Sequence, residues 1–206
     1  LAESAELNKY GARFKYSKFL KVIDQSHESI TSNITTVEMR RDLRLATEQF
    51  AEYAIDFGNE FHISDMEGYN LRSTAFRVLD IVNEVYLFDI PNTDKKTGRL
   101  GLFSLDSPGS TTPIIERQNV GLVNYEKGRI TLNPINITSG KEKDKQQIME
   151  ISVVPESNDV IGLQDLYLQL DTSNVETVVD EIASGADPSG STYTVTTSYK
   201  QRKIVR

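Results

Sequence analysis

The sequence predicts an α+β protein, predominantly antiparallel β with a few short helices. Three observations carry this. β-branched and aromatic stretches without helical period recur along the chain, as in "SITSNITTVEMRR" at 29–41. Turn-forming clusters punctuate them, as in "PNTDKKTG" at 91–98 and "DSPGSTTP" at 106–113. A single stretch, from Ser173, combines a helix cap with a 3.6-residue apolar period.

From the N-terminus, Lys9, Arg13, Lys15, Lys18 and Lys21 alternate with Tyr10, Phe14, Tyr16 and Phe19. Cations interleaved with aromatics can stack nucleic-acid bases. The same pattern suits a half-buried strand with Ala12, Phe14 and Tyr16 turned inward. Residues 29–41 and "AEYAIDF" at 51–57 favour sheet, and the link "DLRLATEQF" between them admits either a helical turn or strand. "LRSTAFRVLDIVNEVYLFDI" at 71–90 is extended up to Pro91, and the loops at 91–98 and 106–113 bracket a hairpin with "RLGLFSL". In "GLVNYEKGRITL" at 121–132, Gly128 can take the positive φ of a tight turn, so "GLVNY" and "RITL" should pair antiparallel. Pro134 should break regular pairing before "INIT".

Farther on, "KEKDKQQ" at 141–147 reads as a charged, solvated loop, and "IMEISVV" as a strand ending at Pro155. Leu163, Leu166, Leu168 and Leu170 offer themselves for burial. Ser173 and Glu176 make a capping-box pair, with Val175, Val178, Val179 and Ile182 on one stripe and Gly185 as the stop, predicting a helix over Ser173–Ser184. "GADPSGSTYTVTTSY" passes from loop to strand, and "KQRKIVR" is a basic, frayed end. The expected division is an N-terminal part of the core at 1–61, a β-rich middle at 62–118 and a C-terminal β/α part at 119–206.

With 206 residues the chain can bury a sizeable core, and 38% hydrophobic with 26% charged residues is an ordinary globular composition. No stretch reaches the roughly 20 apolar residues of a membrane helix. The start lacks both an initiator Met and a secretion signal, suggesting a piece of a longer chain. A net charge of -7 works against nucleic acid and anionic membranes as partners. Absence of cysteine removes disulfides, thiolate metal sites and a Cys nucleophile.

Templates for chemistry fail one after another. His27 and His62 belong to no ligand-spaced pair. Asn92 and Asp94 begin like a calcium loop, but Lys96 and Phe103 occupy the fifth and twelfth places. "SGKEK" ends like a phosphate loop, yet Ile135 stands where its first Gly belongs and Glu142 where its hydroxyl belongs. Glu48 and Asp56 can be posed as a glycosidase pair, although among 30 acids some pair always suggests itself. Asn33-Ile34-Thr35 and Asn136-Ile137-Thr138 match the glycosylation sequon but read as strand residues. The sequence therefore assigns no catalytic, cofactor-binding or metal-binding residue, and the reading is of a non-enzyme without cofactor.

"ITSNITTVEMRRDL", "FAEYAIDFGNEFH", "VGLVNYEKGRITLNPINITS", "PESNDVIGLQDLYLQLD" and "VVDEIASGADPSGSTYTVTTSY", in that order, resemble the C-terminal part of the baseplate wedge protein, the product of gene six, of T-even-like contractile-tailed bacteriophages, especially those of marine cyanobacteria. The resemblance is weakest between Ile63 and Gln118. It implies a structural virion protein of the tail baseplate, assembled in a bacterial cytoplasm. The implied partners are a second copy of itself, through a homodimer contact, and other wedge subunits, with no nucleic acid, membrane or small-molecule substrate. The implied role is joining copies into the ring around the tail hub and sharing in the switch on sheath contraction. The stretch Leu163–Ser184 is the expected self-contact. An alternative is a tail module that binds a host receptor or glycan, which calls for a cluster of exposed aromatics. A third reading, a cell-wall hydrolase, calls for a cleft with two buried acids of separated pKa.

Overall fold

Alternation of apolar and polar residues along the chain's longest extended runs builds two antiparallel sheets around a shared core. The computed structural model describes residues 12–63, 70–107, 109–110, 112–162 and 168–178. Its strands are β1 (Arg13–Phe14), β2 (Met39–Arg44), β3 (Phe50–Asp56), β4 (Arg72–Ser73), β5 (Arg77–Val78) and β6 (Val85–Pro91). They continue as β7 (Thr97–Leu105), β8 (Pro113–Asn124), β9 (Arg129–Ser139), β10 (Lys141–Lys143), β11 (Gln146–Val153) and β12 (Val160–Ile161). One helix, α1 (Tyr16–Asp24), follows β1. The larger sheet has the order β3-β9-β8-β7-β6, with β5 also on β9; the smaller has β10-β11-β2, with β4 also on β11; and β1 pairs β12. Every one of these pairings is antiparallel, as the sequence predicts.

Period two decides which side chains are inside. Val85, Leu87, Leu100, Leu102, Val123, Ile130 and Leu132 from the larger sheet and Met149, Ile151 and Val153 from the smaller join one apolar cluster. Each such side chain fully buried contributes about 1.5–3 kcal/mol. The expected hairpins form: β6 pairs β7 from Val85↔Ser104 to Pro91↔Gly98, and β8 pairs β9 from Gly121↔Leu132 to Asn124↔Arg129. Pro134 does not end its strand. Ala51 faces Ile135 and Tyr53 faces Leu132, so Asn133 and Pro134 together oppose Glu52 in a bulge, where a residue without N–H costs no ladder bond.

Several expectations are corrected. Ala12 and Phe14 are buried as for an inward-facing strand, but the strand ends there and α1 begins at Tyr16. Its stripe, Tyr16, Phe19, Leu20 and Ile23, is half-buried at i, i+3, i+4 and i+7. No local cap announces the helix, because the N-cap Lys15 side chain makes no hydrogen bond to it; the carboxylate of Asp159 accepts the Tyr16 N–H instead, at 2.8 Å. Residues 31–38 form no strand; the ladder starts at Met39. The link at 42–50 is strand and turn, not helix. The charged stretch at 141–147 is a hairpin, not a loop: Asp144 and Lys145 both have positive φ, 51° and 61°, which matches the two-residue turn that twists with its strands.

The chain divides into units Leu1–Tyr167 and Leu168–Arg206, the second taken by itself. There the expected helix fails at its start: Thr172–Asn174 form one 3-10 turn and Val175 is extended. Asp171, not Ser173, is the cap, accepting the Ser173 N–H at 3.1 Å, the Ser173 hydroxyl at 2.5 Å and the Asn174 side-chain amide at 2.6 Å. That local network offers the backbone an alternative to the helix, and β-branched Val175 and Val178 do not compete well against it. Leu168 and Leu170, expected inside, are 52% and 67% exposed. Residues 163–167 and 179–185 lie outside the described residues, and so does the expected C-terminal strand.

Candidate functional site

The turn at Tyr125–Gly128 holds the densest polar arrangement in the core. Tyr125 is 1% exposed, and its hydroxyl donates to Asp89 Oδ2 at 2.8 Å. Asp89, at 0% exposure on β6, accepts the Leu71 N–H through Oδ1 at 2.8 Å. Burial pushes the Asp89 carboxyl above the usual carboxylate range, against the opposing hydrogen bonds from Leu71 and Tyr125. Burial, reinforced by the facing carboxylate, pushes the Tyr125 phenol well above its ordinary value. One acid inside the apolar run "VYLFDI" is the sequence signal for this pair, and sequence reasoning passed over it.

Backbone geometry seals the arrangement. Tyr125 N–H donates to Lys96 O at 2.9 Å, Phe61 N–H to Tyr125 O at 2.9 Å and Phe57 N–H to Gly128 O at 2.8 Å. Gly128 has φ +61°, and a Cβ there would stand 1.9 Å from Asn59 O. A Cβ on Gly98 would meet the Tyr125 hydroxyl at 2.8 Å. The turn therefore ties three chain segments together, and its acid and phenol are closed off from any substrate. Its role is mechanical.

Elsewhere the structure separates what a catalytic reading would need together. Glu48 lies in the turn before β3 and Asp56 ends that strand; at about 3.3 Å per residue they stand roughly 20 Å apart. Asp56 is also held by Arg129, at 2.7 Å and 3.2 Å. His27 Nδ1 meets Ser29 Oγ at 2.5 Å, while His62 Nδ1 meets Glu156 Oε2 at 2.8 Å. Asp94 accepts the N–H groups of Lys96 and Thr97 and the Thr97 hydroxyl, which holds its carboxyl below the usual range and fixes the β6–β7 turn. Among the described residues no group of three His, Cys, Asp or Glu is placed to hold a metal ion, and no helix is long and apolar enough to cross a membrane.

What the surface offers is apolar side chains and strand edges. Ile34, Val82 and Phe50 are 89%, 90% and 69% exposed, with Leu79 and Leu122 at 59%. Phe50 is the single exposed aromatic among the described residues. In the second unit, Leu168, Leu170, Val175 and Val178 are all exposed. Such surfaces suit contact with other polypeptides.

Residues 3–42, which include α1 and the start of β2, match the family described as baseplate structural protein gp6, C-terminal domain III. No curated protein matches the chain. The match supports a gp6-like baseplate protein, hence a structural subunit in contact with other baseplate subunits at a phage tail.

Proposed function

We propose that this chain is a structural subunit of a baseplate wedge in a contractile-tailed phage of the T-even-like type, and that it has no catalytic activity. The family match over residues 3–42 is the observation that carries the reading. It joins neighbouring copies and wedge partners into the ring around the tail hub and takes part in the rearrangement on sheath contraction. Assembly takes place in the bacterial cytoplasm, and the finished chain resides in the virion. Its partners are polypeptides, including a second copy of itself, rather than nucleic acid, membrane or small molecules.

The physical support lies in how the polar groups are used. The buried acid is tied to a phenol and a backbone N–H, the turn glycines are filled by neighbouring backbone, and exposed apolar side chains remain on the surface. A glycan-binding module is less favoured, because it needs clustered exposed aromatics and Phe50 stands alone among the described residues. A density map of the intact particle tests the proposal. The chain is expected at the distal end of the tail, in more than one copy; density confined to the head or to fibres would reject it.

A further inference from the structure

Glu38, Arg40, Asp42 and Arg44 occupy alternate positions along β2 and the residue before it. They form a row of alternating sign on one face. Leu45 N–H donates to Gln147 O of the β11 hairpin at 2.9 Å, and β2 pairs β11 from Met39↔Val153 to Arg44↔Ile148. By the two-residue period, Met39, Arg41 and Leu43 turn their backbone groups to β11, whereas Arg40, Asp42 and Arg44 turn theirs away. Among the described residues no strand pairs along that far side. A strand edge without a neighbouring strand is a template for another.

We infer that this edge pairs antiparallel with the same edge of a second copy, about a two-fold axis at Arg41. The inference rests on the self-association proposed above and names its surface. In a continuous sheet, opposed side chains share a face, so only registers that centre on a residue are allowed. With Arg41 on the axis, Glu38 faces Arg44 of the second copy and Arg40 faces Asp42, giving four attractive pairs by symmetry. Moving the axis to Arg40 opposes Arg40 to itself and Glu38 to Asp42. Moving it to Asp42 opposes Asp42 to itself and Arg40 to Arg44. Both neighbouring registers are repulsive, so the charge row selects one register from within. On the other face Met39 meets Leu43, and Arg41 meets its own copy; its guanidinium is drawn aside over the Phe57 ring, 5.9 Å from the centroid. Asp42 already binds Lys143 at 2.5 Å, and its carboxylate retains capacity for a second cation.

Sedimentation of the 206-residue chain over a range of concentrations tests the inference. The chain is expected to dimerise reversibly. Arg44→Glu should weaken the dimer at least about tenfold, and Glu38→Arg combined with Arg44→Glu should restore it, since the swapped pair is again opposite in sign. The restoring double variant separates lost charge from lost folding. Because the chain has no cysteine, register can be read directly. Arg41→Cys places two Cβ atoms about 4.5–5.5 Å apart across the axis and should oxidise to a cross-linked dimer, whereas Asp42→Cys, offset diagonally, should not. A monomer at all concentrations, an Arg44→Glu dimer as tight as the original, or equal cross-linking of the two cysteine variants would overturn it. If the chain still maps to the baseplate in that case, the structural-subunit reading survives without this edge. Absence from the baseplate would end that reading whatever the sedimentation shows.

Discussion

Removing the Tyr125 hydroxyl tests whether the Tyr125–Asp89 pair is a structural tie. Tyr125→Phe keeps the buried ring and deletes only the donor 2.8 Å from Asp89 Oδ2. It leaves a fully buried carboxylate with one fewer hydrogen bond, a loss of about 1–3 kcal/mol for a charged acceptor. At about 2 kcal/mol, and with Tm moving about 2–4 °C per kcal/mol in a domain of this size, the melting temperature should fall by about 4–8 °C. The effect should depend on pH, with a sign fixed by linkage. Burial raises the Asp89 carboxyl in the folded state, so its contribution to stability is fully present below the unfolded carboxylate pKa and is lost as pH rises through the raised folded value. The phenol hydrogen bond opposes that rise. Its removal should therefore cost more at about pH 8 than at about pH 4.5. Thermal and urea unfolding followed by circular dichroism at the two pH values supply the numbers. In an Asp89→Asn background the same substitution should cost at most about 1 kcal/mol, since no buried charge remains to be stabilised. A cost that is equal at both pH values, or undiminished in the Asp89→Asn background, would refute the reasoning.

Other substitutions follow from the same geometry. Gly128→Ala forces an L side chain into φ +61° with its Cβ 1.9 Å from Asn59 O, and should destabilise by about 2–4 kcal/mol in urea unfolding. Lys145→Gly relieves a positive φ in the β10–β11 turn and should stabilise by about 0.5–1 kcal/mol by the same measurement. Asp56→Asn breaks an exposed pair with Arg129 and should cost under about 1 kcal/mol, as chemical denaturation would register. Phe50→Ser, at a side chain 69% exposed, should leave the melting temperature within about 2 °C, because little apolar surface leaves the core.

How much was legible in the sequence follows from the range over which each signal acts. Strand character, the β6–β7 and β8–β9 hairpins and the stop near Pro155 were readable, because alternation and turn residues are properties of neighbours in the chain. The failure of every catalytic template was readable for the same reason: ligand spacings are local. What the sequence did not disclose depends on partners far along the chain. The cap of α1 comes from Asp159, 143 residues away, so its half-buried stripe passed for a strand. Residues 31–38 have strand-forming side chains but no ladder partner, and propensity cannot supply one. At Ser173 a capping box was present, yet the side chain of Asp171 competed locally and won. Only tertiary structure brought Asp89 beneath Tyr125, 36 residues apart, and only the pairing of β2 with β11 determined which side of the Glu38–Arg44 charge row faces away from its own sheet. Sequence determined which segments extend and which residues alternate; burial and edge exposure were decided when distant strands met, because the free energy of both depends on what lies alongside rather than on what comes next.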